Sequence, residues 1–177
     1  MGTIAAVVLA AGEATRFGAP KQRLLLPGIL ARLGESPVDE VVVVEGAHAL
    51  DAASEGTSGP AVRVVRCPAW ELGPGASLRC GLSVLGPEVE AAVVVLADGP
   101  RLAPEAVERV VAAWRAAGGI VAASYAGARG HPLVVGRADW DEVPDGGFHE
   151  RPARLVPCDD LGAPGDVDRP EDLTSDD

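Results

Sequence analysis

The chain has 177 residues, 47% of them hydrophobic, and 26 acidic against 15 basic side chains leave a net charge of −11. That length suits one domain, 1–177, with a substantial core, and the acidic balance speaks against a nucleic-acid partner, whose phosphates call for a basic face. The apolar start is too short for a membrane span and lacks the basic flank of a signal peptide, so the expectation is a cytoplasmic protein with no membrane partner.

In chain order, the first apolar run is Ile4–Leu9, and Val41–Val44, Val62–Val65, Ala92–Leu96 and Ile120–Ala123 follow. These runs are continuous rather than alternating, the pattern of strands buried on both faces. His131–Val135 reads as a further strand, antiparallel to its neighbours. Between the first two runs a crossover helix is due over Leu24–Gly34, yet Pro27-Gly28 interrupts it and leaves Ile29–Leu33. Ala47–Ala53 is a weak helix candidate and Ala76–Leu85 a better one. The clearest is Pro104–Ala117, with Pro104 in the first turn, Val107, Val110, Val111 and Trp114 on one face, and Gly118-Gly119 as the stop. Beyond Asp141, many Pro, Gly and Asp residues surround one apolar patch, Leu155-Val156. Strands alternating with helices imply an α/β fold, right-handed crossovers and a mostly parallel sheet covered on both sides.

Lys21 is the only lysine, against fourteen arginines. In a chain so depleted of lysine, the survivor is expected to do what a planar guanidinium cannot, as a compact charge on a flexible stem. It closes Leu9-Ala10-Ala11-Gly12-Glu13-Ala14-Thr15-Arg16-Phe17-Gly18-Ala19-Pro20-Lys21, which follows the first strand. The spacing is neither the Walker A pattern nor the dinucleotide fingerprint. A glycine-containing turn after a strand, carrying one Arg and one Lys, suits a triphosphate: backbone N–H groups cradle oxygens, Arg16 offers a bidentate fork and Lys21 a mobile charge.

Ligands of open parallel sheets bind beyond the carboxyl ends of the strands. There lies Leu96-Ala97-Asp98-Gly99-Pro100, whose Asp98 either caps the helix from Pro104 or holds magnesium across a nucleotide's phosphates. Asp166 or Asp168, in Asp-Val-Asp near the end of the chain, would supply a second carboxylate; the alternative is a solvated acidic tail. Gly73–Leu82 is a glycine-rich turn running into a helix, with Ser77 either an N-cap or a ligand contact. Arg129-Gly130-His131 lies in a turn between strands and is read as the contact to a second substrate. Cys67, Cys80 and Cys158 have no metal-ligand spacing and are expected to be free thiols.

These motifs, taken in order, resemble the MobA-like nucleotidyltransferases, most of all the molybdenum cofactor cytidylyltransferase branch. The resemblance implies a three-layer α/β/α sandwich of the nucleotide-diphospho-sugar transferase type and a Rossmann-like sheet. It implies transfer of a nucleotidyl group from a nucleoside triphosphate to an acceptor phosphate, with pyrophosphate released and magnesium as cofactor. Carried over by position, Leu9, Ala10, Ala11, Gly12, Arg16, Lys21, Ser77 and Asp98 would bind the nucleotide. Arg16, Lys21 and Asp98 would be catalytic, Asp98 and Asp168 would hold the metal, and Arg129, Gly130 and His131 would border the acceptor, molybdopterin in that branch. Ala11 before Gly12 leans towards CTP rather than GTP. The chain departs from the pattern after the lysine, where Lys21–Gly34 is short. It departs again at Asp145–Arg151, which stands where relatives carry a longer acceptor loop. Phospholactate, phosphoenolpyruvate or a phosphosugar are alternative acceptors, and a nucleotide-binding module without transfer is the alternative function.

Overall fold

The computed structural model describes residues 2–12, 21–50 and 59–174. Among them, a seven-stranded sheet is formed by β1 (Thr3–Ala10), β2 (Glu40–Glu45), β3 (Ala61–Arg66), β4 (Val89–Leu96), β5 (Ile120–Tyr125), β6 (Ala128–Gly136) and β7 (Arg154–Pro157), in the order β3-β2-β1-β4-β6-β5-β7. β6 runs antiparallel to β4 and β5, and the other pairs are parallel. The continuous valine runs are buried on both faces in β1, β2, β4 and β5. β3 departs from that expectation. It is the edge strand, and its residues are only half-buried or exposed, with Arg63 reaching Glu40 on β2 at 3.1 Å.

α1 (Lys21–Gly34) and α3 (Pro104–Ala117) cover one face of the sheet, packing on Ala6, Val8, Val93 and Val121. α2 (Pro74–Ser83) covers the other together with Trp140, Val143 and Phe148, over Ala5, Val7, Val42 and Val94. α2 lies so close that a Cβ on Gly81 would stand 2.6 Å from a methyl of Val7 and 2.9 Å from one of Val44.

Two sequence expectations fail here for physical reasons. α1 is not cut at Pro27-Gly28 but runs unbroken from Lys21. Pro27 and Gly28 face solvent, while Leu25, Leu26, Ile29 and Leu33 are buried at helical spacing. Burying each of those is worth about 1.5–3 kcal/mol, which together outweighs the roughly 3 kcal/mol that an internal proline costs. The weak helix over Ala47–Ala53 does not form in its described part, Ala47–Leu50, which is bends and coil; the remainder lies outside the described residues. Instead, Glu45 accepts the Leu50 N–H at 2.6 Å.

The cysteines correct a third expectation. Cys67, at the end of β3, and Cys80, on α2, are joined in a disulfide with Cα atoms 5.7 Å apart, whereas Cys158 is free and buried. The stretch past Asp141 is also more ordered than its composition suggests. It supplies β7, the buried Val143 and Phe148, and the buried Val167. No helix among the described residues is long and apolar enough to cross a membrane.

Candidate active site

β1 and β4 lie side by side and parallel, and the chain's course across the sheet reverses between them, the position where open sheets form a ligand crevice. Past their carboxyl ends, the Ala97 N–H donates to the Leu9 carbonyl at 3.1 Å, which ties the Asp98 turn to the start of the Gly12 loop. The tail then runs alongside: the Arg101 N–H meets the Pro164 carbonyl at 2.9 Å, and the Val167 N–H meets the Asp98 carbonyl at 3.0 Å. Those backbone bonds carry Asp166 and Asp168 to Asp98. Asp172 steadies the far end by accepting the N–H groups of Asp168 and Arg169 at 3.0 and 2.9 Å.

Lys21 is the first residue of α1, and its side chain is 8% exposed. Its Nζ stands 3.6 Å from Asp98 and 3.4 Å from Asp168, and it donates to the Val167 carbonyl. The two carboxylates are more open than their cation, at 32% and 47% exposure. Asp166 completes the cluster. Its carboxyl is held above the ordinary range by burial first, then by Asp98 and Asp168, with Lys21 pulling the other way. Next along α1, the buried Gln22 donates to the Gly12 carbonyl at 3.2 Å and so fixes the path of the loop after β1.

Lys21, Asp98 and Asp168 lie in the wall of a cavity of about 540 Å³, a size ordinary for a cofactor or nucleotide site. Of the sequence-predicted residues, Leu9, Ala11, Gly12, Lys21, Ser77, Asp98 and Asp168 line it. Ala10 does not; it packs in the core beneath. Arg16 lies outside the described residues. Ser77 is no N-cap, since Gly73 holds that position, and its buried side chain sits on the second turn of α2 beside the cavity. The first turn of α2 is not open to an anion at every donor either. The Gly75 N–H is taken by the Asp145 carbonyl at 2.7 Å.

That contact anchors a second cavity of about 500 Å³, which shares Leu9, Pro74 and Leu96 with the first. One wall is the start of β6, where Arg129, Gly130 and His131 follow a tight β5–β6 turn with Ala126 and Gly127 at φ of 51° and 78°. The opposite wall is Gly146, Gly147, Phe148 and His149. Both terminal nitrogens of Arg129 donate to main-chain carbonyls, of Arg151 and of Phe148, so this guanidinium braces the loop. His131 is pushed down to about 4, by burial and then by the Arg129 charge, and is neutral at physiological pH. The second cavity thus presents a mostly apolar lining.

Residues the motifs did not single out also belong to these walls, notably Gln22 and Trp70, while Phe148 and His149 come from the Asp145–Arg151 segment at the acceptor-loop position. Trp70 fits because residue 46 is glycine: a Cβ there would lie 2.6 Å from the indole. No spacing rule announces such a pair.

The profile of the MobA-like NTP transferase domain matches residues 6–156. The chain belongs to that family. It is a nucleotidyltransferase, and the family's chemistry takes a nucleoside triphosphate and an acceptor. Among solved structures, Rv0371c from Mycobacterium tuberculosis is 28% identical with a TM-score of 0.75, over 97% of this chain and 96% of that one. A manganese complex of Rv0371c matches at 28% identity and a TM-score of 0.72, over 97% of this chain and 96% of that chain. A nucleotidyl transferase from Methanothermobacter shares the fold at 23% identity and a TM-score of 0.71, over 97% of this chain and 94% of that chain. A comparison with curated protein sequences finds no match. For this MobA-like chain the mostly parallel sheet is therefore the α/β fold of nucleotide-diphospho-sugar transferases, as expected.

Proposed function

We propose that the chain, acting as one domain over 1–177, transfers a nucleotidyl group, CMP from CTP, to a phosphorylated small molecule and releases pyrophosphate with magnesium as cofactor. The observation that carries this reading is the convergence of Lys21, Asp98 and Asp168 at the carboxyl ends of β1 and β4, beside a cavity that continues into a second one. Ala11-Gly12 at the cavity wall supports the lean to CTP.

The donor set suits a hard divalent cation. Two carboxylates reach one shared point, and the described residues contain no group of three or more His, Cys, Asp or Glu arranged to hold a metal by themselves. Magnesium typically takes one or two carboxylates and completes its shell with phosphate oxygens and water. Asp98 and Asp168 would hold it, and when bound it would offset the charge of the triphosphate.

In the reaction, an oxygen of the acceptor phosphate attacks the α-phosphorus of the nucleotide. The bond from that phosphorus to the bridging oxygen breaks, and its electrons leave with pyrophosphate. The acceptor is already an anion, so no general base is required. The protein's part is alignment and neutralisation of the leaving group, by Lys21 and by Arg16. Arg129, Gly130 and His131 border the acceptor. Because Arg129 is engaged by carbonyls and His131 is neutral, the acceptor favoured is one with a neutral ring body, of the molybdopterin kind. Phosphoenolpyruvate and phospholactate would each bring a second anion to a wall whose arginine, among the described residues, is already engaged by carbonyls.

A pyrophosphate-release assay across four nucleoside triphosphates and a panel of phosphorylated acceptors tests this. Turnover should be fastest with CTP and a ring-bearing acceptor. Nucleotide-induced thermal stabilisation without turnover on any pair would favour the binding-module reading. Asp98→Asn should abolish the magnesium dependence of nucleotide binding, and an unchanged magnesium titration would count against Asp98 as a ligand.

A further inference from the structure

We propose that Lys21 is a resident counter-ion of Asp98 and Asp168, competing with the divalent cation for the same carboxylates, so that the arrival of that cation frees Lys21 to turn towards phosphate. This rests on the functional reading above and adds an exchange to it.

An ammonium has three N–H donors. In this structure two of them serve the Val167 carbonyl and Asp168, and Asp98 stands at ion-pair distance, 3.6 Å, in a pocket that leaves the side chain 8% exposed. Moving towards a triphosphate would weaken the attraction of Lys21 to these carboxylates, and a divalent cation drawn to the same oxygens would offset that loss. The carboxylates are open to the cavity while the ammonium lies buried beneath them, so a replacing cation has access from the nucleotide's side. Two cations drawn to the same oxygens repel each other, so metal alone should bind weakly while Lys21 is in place.

The position asks for lysine for the same reason. The flexible four-carbon stem lets one charge serve two places, whereas the planar fork of arginine, held by several parallel hydrogen bonds, exchanges poorly. This gives a physical account of one lysine in a chain that otherwise uses arginine fourteen times.

The test is Mn²⁺ binding without nucleotide, read by electron paramagnetic resonance of free Mn²⁺ and by calorimetry. Lys21→Met should bind Mn²⁺ about tenfold tighter than the wild type or more, within the usual range of coupling between sites. Lys21→Arg should stay as weak as the wild type. Adding Asp98→Asn to Lys21→Met should reverse the gain. In parallel, Lys21→Met should melt lower than the wild type in EDTA and recover more on adding Mn²⁺. Lys21→Gln, which keeps a donor for the Val167 carbonyl, is the second variant if Lys21→Met does not fold. Equal or weaker Mn²⁺ binding by the folded neutral variant overturns the exchange. If Asp98→Asn still weakens the wild type in that case, the metal site of the proposed function survives. No Mn²⁺ binding by any form overturns both.

Discussion

The two cavities that meet at Leu9, Pro74 and Leu96 are built in opposite ways. The first is lined by an ion-paired cluster at the ends of regular elements: Lys21 opening α1, Asp98 after β4, and Asp168 laid alongside by backbone hydrogen bonds. The second is walled by a hairpin and an irregular loop. Its one arginine is consumed by carbonyls and its half-buried histidine is neutral. Under the proposed function, one half recognises charge and the other recognises shape. Mutations should therefore divide the same way, with effects on catalysis from the first cavity and effects on acceptor fit from the second.

The largest expected effect breaks the charged half without altering its charge. Lys21→Arg keeps the cation but replaces a mobile ammonium with a rigid fork, in a site whose contacts are set for one nitrogen. It should fold, and its transfer rate should fall about 100-fold or more, the scale seen when one preorganised donor to a developing charge is lost. Steady-state pyrophosphate release measures it. Full activity would remove the special status of Lys21 and with it the sharpest contrast between the cavities.

How much of this was legible beforehand follows the same division. α3 is legible residue for residue as Pro104–Ala117, because Pro104 and Gly118-Gly119 mark both ends. That Lys21, Asp98 and Asp168 come together is foreshadowed by their places in the sequence, after the first strand, after the fourth strand and in the acidic tail. α1 is not legible from local propensity, since the cost of Pro27 is outweighed by burial of Leu25, Leu26, Ile29 and Leu33, which only the packed sheet supplies. The Cys67–Cys80 pairing depends on where α2 docks beside the end of β3, and no spacing encodes that. The wall made by Phe148 and His149 lies in the Asp145–Arg151 segment that the family pattern points to, but its course is not encoded there. It is positioned by main-chain carbonyls, to which Gly75 and Arg129 donate, and any residue can supply a carbonyl.

A smaller effect should isolate the shape-reading half. A Cβ on Gly75 would lie 1.6 Å from the Pro144 carbonyl oxygen and 2.7 Å from that of Asp145, so Gly75→Ala must push the 144–147 loop away from α2. Overpacking of this kind costs about 1–3 kcal/mol of stability, measurable by chemical denaturation. The displaced segment carries Gly146 and Gly147 of the second cavity's wall. The acceptor KM should therefore rise several-fold while nucleotide affinity changes little. A variant that lost nucleotide binding and kept its acceptor KM would reverse the assignment of the two cavities.

The smallest effect is a pH dependence from His131. In the folded chain this imidazole stays neutral until about pH 4, whereas in the unfolded chain it takes a proton near its ordinary 6.5. Between those values the unfolded state holds more protons, so stability falls as pH drops through 6.5 towards 4. Between pH 7.5 and 5.5 the loss from this one group should be about 1 kcal/mol. Carboxylates titrate over part of the same range, so the informative quantity is a difference: denaturation midpoints of the wild type and of His131→Gln, compared at both pH values. The wild type should lose more stability than the variant on acidification. If the two lose stability in parallel, His131 is solvated and chargeable in the native state, and the second cavity can receive an anion after all.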